Sequence, residues 1–284
     1  MAAAHVRQLD ASASPLDHFG SELRYWREAA GLSQPQLGAK LFCTASLIGQ
    51  VETAHKVPTR EFAERLDTVF PSGGAFGRLI GLVLRTQLPS WFQQYAGLEA
   101  QATYISTYQA QVVYGLLQTE EYARAVMEAP NPPNLDELVA ARMERQRILD
   151  RDDPPQVWVV LDEAALRRPI GGPNVMWNQL AYLLGFRNRR HVSVQVLPFA
   201  AGQHTGLTGT FNLLRFEENP DVLYTEDFAQ GHATANPGTF KEGSFRYARL
   251  QAAALSVEDS AALISRVMEE QYGEDPDAGE RGVA

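Results

Sequence analysis

The sequence feature that most restricts the fold of this chain is a pair of short helical segments joined by a very short connection. Ser33-Gln34-Pro35-Gln36 contains a capping serine, a proline in the first turn and a glutamine three residues after the cap. This pattern predicts a helix that continues to Leu41. After Phe42-Cys43, Thr44 is the candidate cap of a second helix, whose apolar face would hold Leu47, Ile48 and Val51. Helices joined this closely are what a helix-turn-helix requires.

Two further helices flank this pair. Apolar residues recur at helical spacing from Leu16 to Ala30 and stop at Gly31, and Pro58-Thr59 opens a helix that carries Phe62, Leu66, Val69 and Phe70. The sequence therefore predicts an all-α helix-turn-helix domain over 16–72. A flexible N-terminus (1–15) would precede this domain, and a linker helix (73–90) would follow it.

The second half alternates strands with helices. Strands are predicted over 102–109, 157–161, 191–197, 208–216 and 222–225, and helices over 119–129, 135–151, 174–187, 240–255 and 256–272. We therefore expect a multidomain chain in which an α+β domain over 91–272 follows the helical domain. Residues 273–284 are acidic and are expected to form a disordered tail.

Charge and hydropathy exclude several classes of protein. The chain has 25 basic and 34 acidic residues, a net charge of −9, which argues against a general nucleic-acid coat protein. Residues 16–70 hold six basic and seven acidic groups, so any DNA affinity must come from local placement and dimerisation. No run approaches the roughly 18 apolar residues of a spanning helix, and a secretory signal is not recognisable. We expect a cytoplasmic protein that does not associate with membranes.

The second helix of the pair is the candidate recognition helix. In a helix-turn-helix, the first two positions of this helix and those one turn later face base edges in the major groove. Here these positions hold Ala45, Ser46, Gly49 and Gln50, of which Gln50 offers the donor and acceptor pair that matches adenine. Phosphate contacts are predicted for Gln34, Thr44, Thr53 and Lys56. The alternative is a helical hairpin that packs against protein and leaves these residues in solvent.

Nothing in the sequence predicts an enzyme. The six histidines lack metal-ligand spacing, no phosphate-binding glycine loop is present, and Asp162 and Glu163 are adjacent, as expected of first-turn acids of a helix. We expect no catalytic residue, metal or cofactor. The aromatic residues of the second domain are most simply core, although they leave open a small-molecule pocket or a protein-binding surface.

The helical domain resembles the Xre-type, lambda-repressor-like DNA-binding domain. The matching stretches are Leu32–Leu37, Thr44–Glu52 and Lys56–Pro58, which supply a Leu-Ser-Gln opening, a helix that ends in Val-Glu and a basic-x-Pro exit. Phe42 and Ala54 stand where this family usually has glycine. Because glycine would permit a positive φ there, both turns are expected to be strained or differently shaped.

The whole chain resembles an actinobacterial family that joins an Xre-type helix-turn-helix to a C-terminal domain of unknown function. This family includes WhiJ-like developmental regulators and Scr-type antitoxin-like regulators. The resemblance is carried by Gly115–Thr119, Leu161–Leu166, Val194–Phe199 and Ala254–Ser256 in the same order. It implies a transcription regulator, often encoded beside a small partner protein of the BldB-like type.

The sequence therefore predicts a homodimeric regulator that binds double-stranded DNA and whose second domain binds this small partner. Dimerisation follows because one recognition helix with few base-reading groups supplies little specificity. Two alternatives remain open at this stage. One is an antitoxin-like protein that mainly sequesters the partner, and the other is a repressor that senses a small molecule. The operator and the sign of regulation do not follow from the sequence.

Overall fold

The computed structural model describes residues 9–273, which form two compact units. The first unit contains residues 9–90 and Asp136–Glu144, and the second contains Trp91–Leu135 and the chain from Arg145 onward. Residues 1–8 and the predicted acidic tail after Gly273 lie outside the described residues. None of the described helices is both long and apolar enough to cross a membrane.

The first unit contains five helices in its N-terminal stretch. They are α1 (Pro15–Ala29), α2 (Gln34–Leu41), α3 (Ala45–Glu52), α4 (Arg60–Val69) and α5 (Ala75–Arg85). The predicted caps Ser33 and Thr44 are confirmed, since the hydroxyl oxygen of each accepts a backbone N–H of the first turn, and Thr59 caps α4 in the same way. The capping box between Ser33 and Gln36 is also present.

Apolar side chains from all five helices fill one core. Its fully buried members include Phe19, Leu23, Leu37, Ile48, Val51, Leu66, Phe76 and Ile80. Helix α5, which the sequence predicts as a linker, takes part in this core, because the rings of Phe19 and Phe76 meet edge to face with centroids 5.3 Å apart. Burying these side chains is the main source of stability for helices this short.

The strain expected at two turns is confirmed. Phe42 and Ala54 have φ angles of 57° and 56°, in the left-handed region that glycine adopts most readily. Such a backbone costs an L-residue about 1–2 kcal/mol. The side chain of Phe42 is also 89% exposed, so burial of its ring within the chain does not offset this cost.

The remaining helices are α6 (Ser90–Glu99), α7 (Glu120–Glu128), α8 (Leu135–Gln146), α9 (Glu163–Arg167), α10 (Pro173–Gly185), α11 (Pro237–Ala253) and α12 (Val257–Tyr272). The strands are β1 (Tyr104–Gln109), β2 (Gln156–Asp162), β3 (Val192–Leu197), β4 (Phe211–Arg215), β5 (Val222–Glu226) and β6 (Gly231–Thr234). They form one sheet in the order β3-β2-β1-β4-β5-β6. Strands β1, β2 and β3 are parallel, and β4, β5 and β6 continue the sheet as antiparallel neighbours. The predicted combination of an all-α domain and an α+β domain is confirmed.

Helix α11 covers part of one face of the sheet. Its residues Phe240, Tyr247 and Leu250 pack on Tyr108, Val160, Leu197, Phe211 and Leu213. The Tyr247 hydroxyl also donates to the carbonyl oxygen of Trp158, at 2.9 Å. This helix is therefore fixed to the sheet by apolar burial and by a specific hydrogen bond.

Several elements differ from the sequence-based expectation. Strand β6 and helix α9 were not predicted, because four residues with the sequence Gly-His-Ala-Thr and a five-residue helix are too short to show a period. The helix predicted to continue to Arg151 ends at Gln146, and a 3-10 turn over Arg147–Asp150 buries Ile148 and Leu149. Asp162 caps α9 by accepting the Ala164 N–H at 2.9 Å, which agrees with its predicted place at a helix start.

Candidate nucleic-acid interface

Helices α2 and α3 present one open concave surface, which we call the reading surface. It is lined by Gln34, Ala45, Ser46, Gly49, Gln50, Thr53 and His55. Six of these seven residues are predicted DNA contacts, and the structure brings these six together. The other two predicted contacts, Thr44 and Lys56, do not line this surface.

Ser46 and Gln50 are the polar side chains of the reading surface that remain free for a ligand. Both are exposed, and neither side chain forms a hydrogen bond within residues 9–273. The Gln50 amide therefore keeps a donor and an acceptor, the pair that reads the N6 and N7 edge of adenine. The Ser46 hydroxyl can donate to or accept from either kind of base. Ala45 adds a methyl group, which suits apolar contact with a thymine methyl.

A buried carboxylate lies directly beneath the reading surface. Glu52, the last residue of α3, is fully buried and pairs with Arg27 of α1, whose Nη2 donates to Oε2 at 3.1 Å while its Nε donates to Oε1. Arg24 donates to the backbone carbonyl of Glu52 at 3.1 Å. The hydrogen bond from Arg27 to Glu52 raises the pKa of this guanidinium. A two-point arginine clamp of this kind fixes the end of α3 against α1.

Gln34 connects this buried pair to the reading surface. Its Nε2 donates to Glu52 Oε2 at 2.9 Å, so one of its two amide N–H groups is used inside the protein. Its Oε1 lies against α3, because a Cβ atom at Gly49 would come within 3.3 Å of it. A glycine at position 49 therefore leaves room for Gln34 to lie across the helix. The remaining N–H and lone pairs of Gln34 are available for the predicted phosphate contact.

The other predicted phosphate contacts are already used within the protein. The Thr44 Oγ1 accepts the N–H of Leu47 at 3.2 Å, and the Thr53 hydroxyl donates to the Gly49 carbonyl at 2.7 Å. Lys56 is exposed, and its Nζ lies 4.0 Å from Glu137 Oε1. Their roles at phosphates stay predictions. Free backbone N–H groups in the first turn of α3 add donors beside them.

Sequence reasoning missed His55 as a member of the reading surface. Its backbone N–H donates to the Gln50 carbonyl at 2.9 Å, so the turn after α3 folds back towards the recognition helix. The ring Nδ1 lies 3.0 Å from the Thr53 carbonyl oxygen. The basic-x-Pro exit next to His55 was the available signal, since it places the whole turn close to Gln50.

The electrostatics of the reading surface are unusual for a phosphate-binding face. None of its seven lining residues is Lys, Arg, Asp or Glu. Attraction to DNA must therefore come from helix N-termini and from charges at its margin, which agrees with the near-neutral balance of this segment. No group of three or more His, Cys, Asp or Glu side chains within residues 9–273 could hold a metal ion.

Two families of known proteins match the chain. The family described as "Helix-turn-helix domain" matches residues 18–74, and the "Domain of unknown function (DUF5753)" matches residues 92–266. The second match spans 175 of the 284 residues, which is more than half of the chain. No curated protein and no solved structure matches. These matches support an Xre-like helix-turn-helix regulator with a C-terminal domain of unknown function.

Proposed function

This chain belongs to the family of the domain of unknown function DUF5753, and we propose that it is a sequence-specific transcription regulator that binds double-stranded DNA as a homodimer. The observation that carries this proposal is the reading surface. Exposed Ser46 and Gln50 sit on a short helix whose position is fixed by the clamp of Arg27 on Glu52. A rigid helix with free polar side chains near its N-terminus is the arrangement that direct base readout needs.

Homodimerisation follows from the small number of base-reading groups. Among the described residues, Ser46 and Gln50 are the two polar residues of the reading surface whose side chains form no hydrogen bond within the protein. Each good contact with a base contributes about 1–3 kcal/mol of discrimination, so one protomer recognises few bases. Two protomers on a pseudo-palindromic site double this discrimination. Their half-sites should then lie about 10–10.5 base pairs apart, or a multiple of this distance.

The test is a footprint of the purified full-length protein on the DNA upstream of its own gene. We expect a protected site with two related half-sites and a stoichiometry of two chains per site. Insertion of five base pairs between the half-sites should lower affinity strongly, because the second half-site then faces the opposite side of the helix. A single short protected site bound by one chain would contradict the dimer. Equal binding to all sequences would contradict specific recognition.

The DUF5753 unit is proposed to bind a small BldB-like protein encoded nearby, and this binding would modulate DNA affinity. The proposal derives from the family resemblance and is supported by one surface. Strand β6 lies at an edge of the sheet, and Phe228 in the turn before it is fully exposed. An open strand edge beside an exposed aromatic side chain suits protein docking.

Calorimetry of the full chain against the product of the neighbouring gene tests this second part. We expect stoichiometric binding and a change in operator affinity of about 5–150-fold, the usual range for coupled sites. The Phe228→Ala variant should weaken partner binding without changing DNA affinity in the absence of the partner. Binding of the partner with unchanged operator affinity would leave a sequestering role and would contradict modulation.

A further inference from the structure

Part of the DUF5753 match belongs to the first unit of the protein. The match covers residues 92–266, yet Asp136–Glu144, which form most of helix α8, lie in the first unit. The next residue of the helix, Arg145, belongs to the second unit, where it pairs with Glu99. One continuous helix thus begins in the unit that carries the reading surface and ends in the second unit.

Two acids of α8 pair with two cations of the first unit. Glu137 and Glu144 are seven residues apart and therefore share one face of the helix. Arg60 Nη2 donates to Glu144 Oε1 at 2.5 Å, and Arg60 Nε donates to Glu144 Oε2. Glu137 Oε1 lies 4.0 Å from Lys56 Nζ. The two-point pair of Arg60 with Glu144 fixes α8 and so holds Glu137 beside Lys56.

Lys56 belongs to the turn that follows the recognition helix. Its backbone N–H donates to the Gln50 carbonyl at 3.3 Å, and the preceding residue, His55, lines the reading surface. The reading surface itself has no Lys or Arg, so attraction to phosphate depends on cations at its margin. The ammonium group of Lys56 is such a cation, and it is the one that Glu137 faces.

Most of the positive charge of this segment is already neutralised. Residues 16–70 hold six basic side chains, of which five form ion pairs, namely Arg24, Arg27, Lys56, Arg60 and Arg65. Helix α8 supplies an acid to two of them, Lys56 and Arg60. The side chains of Arg60 and Glu144 are only 21% and 17% exposed, whereas that of Lys56 is 47% exposed. An exposed pair at 4.0 Å is weak, so Lys56 is the cation that a small movement of α8 can release.

We propose that Glu137 is an autoinhibitory residue, which withholds Lys56 from DNA phosphate until a shift of α8 separates the two side chains. The proposal rests on the proposed DNA-binding function and concerns its regulation. The carboxylate cancels the charge of the ammonium group and also repels phosphate. Because α8 continues into the second unit, a ligand or partner that moves this helix would change DNA affinity without contacting the reading surface.

The test is a fluorescence-anisotropy titration of the full-length Glu137→Gln variant with labelled operator DNA and with scrambled DNA. At about 50 mM salt we expect about threefold tighter binding to both DNAs, because a phosphate contact carries no sequence information. The slope of log affinity against log salt concentration should steepen by about 0.9, the value for one additional phosphate contact.

Two further variants show whether Lys56 is the released group. The double variant Glu137→Gln and Lys56→Gln has the net charge of the wild type, and its affinity and slope should return close to the wild-type values. Glu258→Gln is the matched control, since it removes one exposed acid in α12 and should change neither quantity.

Unchanged affinity and slope in Glu137→Gln would overturn the proposal while leaving DNA binding by the wild type intact. An equal gain in the single and double variants would overturn the role of Lys56. A gain of the same size in Glu258→Gln would show an effect of net charge alone and would also overturn the proposal. Failure of the wild type and of Glu137→Gln to bind any DNA would contradict the proposed function itself, and this inference with it.

Discussion

Among the described residues, each unit of the protein has one glutamate that is completely buried and paired with an arginine, but the two pairs have different surroundings. Glu52 in the first unit and Glu99 in the second are both fully buried. The carboxylate of Glu52 also binds Gln34, which reaches the reading surface. Glu99 instead accepts hydrogen bonds from the hydroxyl groups of Tyr95 and Tyr114, and its Oε2 lies 2.8 Å from Arg145 Nε.

Glu99 has no contact with solvent, because aromatic side chains surround it and its arginine partner. The Arg145 guanidinium lies 4.9 Å from the ring centroid of Phe92, and the rings of Tyr95 and Tyr224 stack at 3.9 Å. Burial raises the pKa of Tyr95 and of Tyr114, so both hydroxyl groups stay protonated as donors. This pair therefore joins α6 to Arg145 of α8, and the stacked rings of Tyr95 and Tyr224 join α6 to β5, whereas the Glu52 pair holds the recognition helix. The same chemistry serves stability in one unit and positioning of the DNA interface in the other.

The largest effect is expected at Glu99. Glu99→Gln leaves Arg145 charged, with a side chain only 7% exposed and without its ion-pair partner. Removal of one partner of a buried pair typically costs about 3–5 kcal/mol. Urea unfolding followed by circular dichroism measures this loss. Glu258→Gln, on an exposed surface, should change the unfolding free energy by less than about 0.5 kcal/mol.

A smaller loss of stability is expected at Glu52, together with a loss of function. The side chain of Arg27 is 12% exposed, and in Glu52→Gln it can turn towards water, so we expect a cost of about 2–3 kcal/mol. Operator affinity of the folded variant should also fall, because Gln34 loses its carboxylate partner. Fluorescence-anisotropy titrations of labelled operator DNA, at a temperature where the variant is folded, measure this affinity. Unchanged operator affinity in Glu52→Gln would contradict the positioning role that distinguishes the Glu52 pair from the Glu99 pair.

A gain of stability is expected at Phe42. Phe42→Gly removes the left-handed strain and loses a ring that is 89% exposed, so we expect a gain of about 0.5–1 kcal/mol after the higher entropy of the unfolded glycine chain is counted. Ala54→Gly is the matched variant, with the same φ and a much smaller side chain. A thermal melt compares the two. A lower melting temperature for Phe42→Gly would show that the exposed ring has a stabilising contact.

Local patterns predicted the parts of the fold that depend on neighbours in sequence. Ser33 and Thr44 cap helices as predicted, because a cap needs only the next three residues. The reading surface also follows from helical spacing, apart from His55. The position of His55 depends on the preceding turn, in which the strained backbone of Ala54 bends the chain back towards α3.

Contacts between residues that are far apart in the sequence could not be predicted from local patterns. The clamp of Arg27 on Glu52 joins residues 25 positions apart, and the pair of Glu99 with Arg145 forms only when α6 and α8 meet. Strand β6 exists because it pairs with β5, and its own residues carry no strand pattern. The pair of Arg60 with Glu144 likewise joins residues 84 positions apart. Each of these features depends on tertiary packing, which leaves no local pattern in a single sequence.

The most direct test of the account is the specificity of the Gln50→Ala variant. Because the Gln50 side chain is exposed and forms no hydrogen bond within residues 9–273, its removal should change stability by less than about 0.5 kcal/mol. Affinity for the footprinted operator should fall by about 1–3 kcal/mol, and affinity for scrambled DNA at the same salt concentration should stay nearly constant. An equal loss on both DNAs, or no loss on the operator, would contradict base reading by this surface.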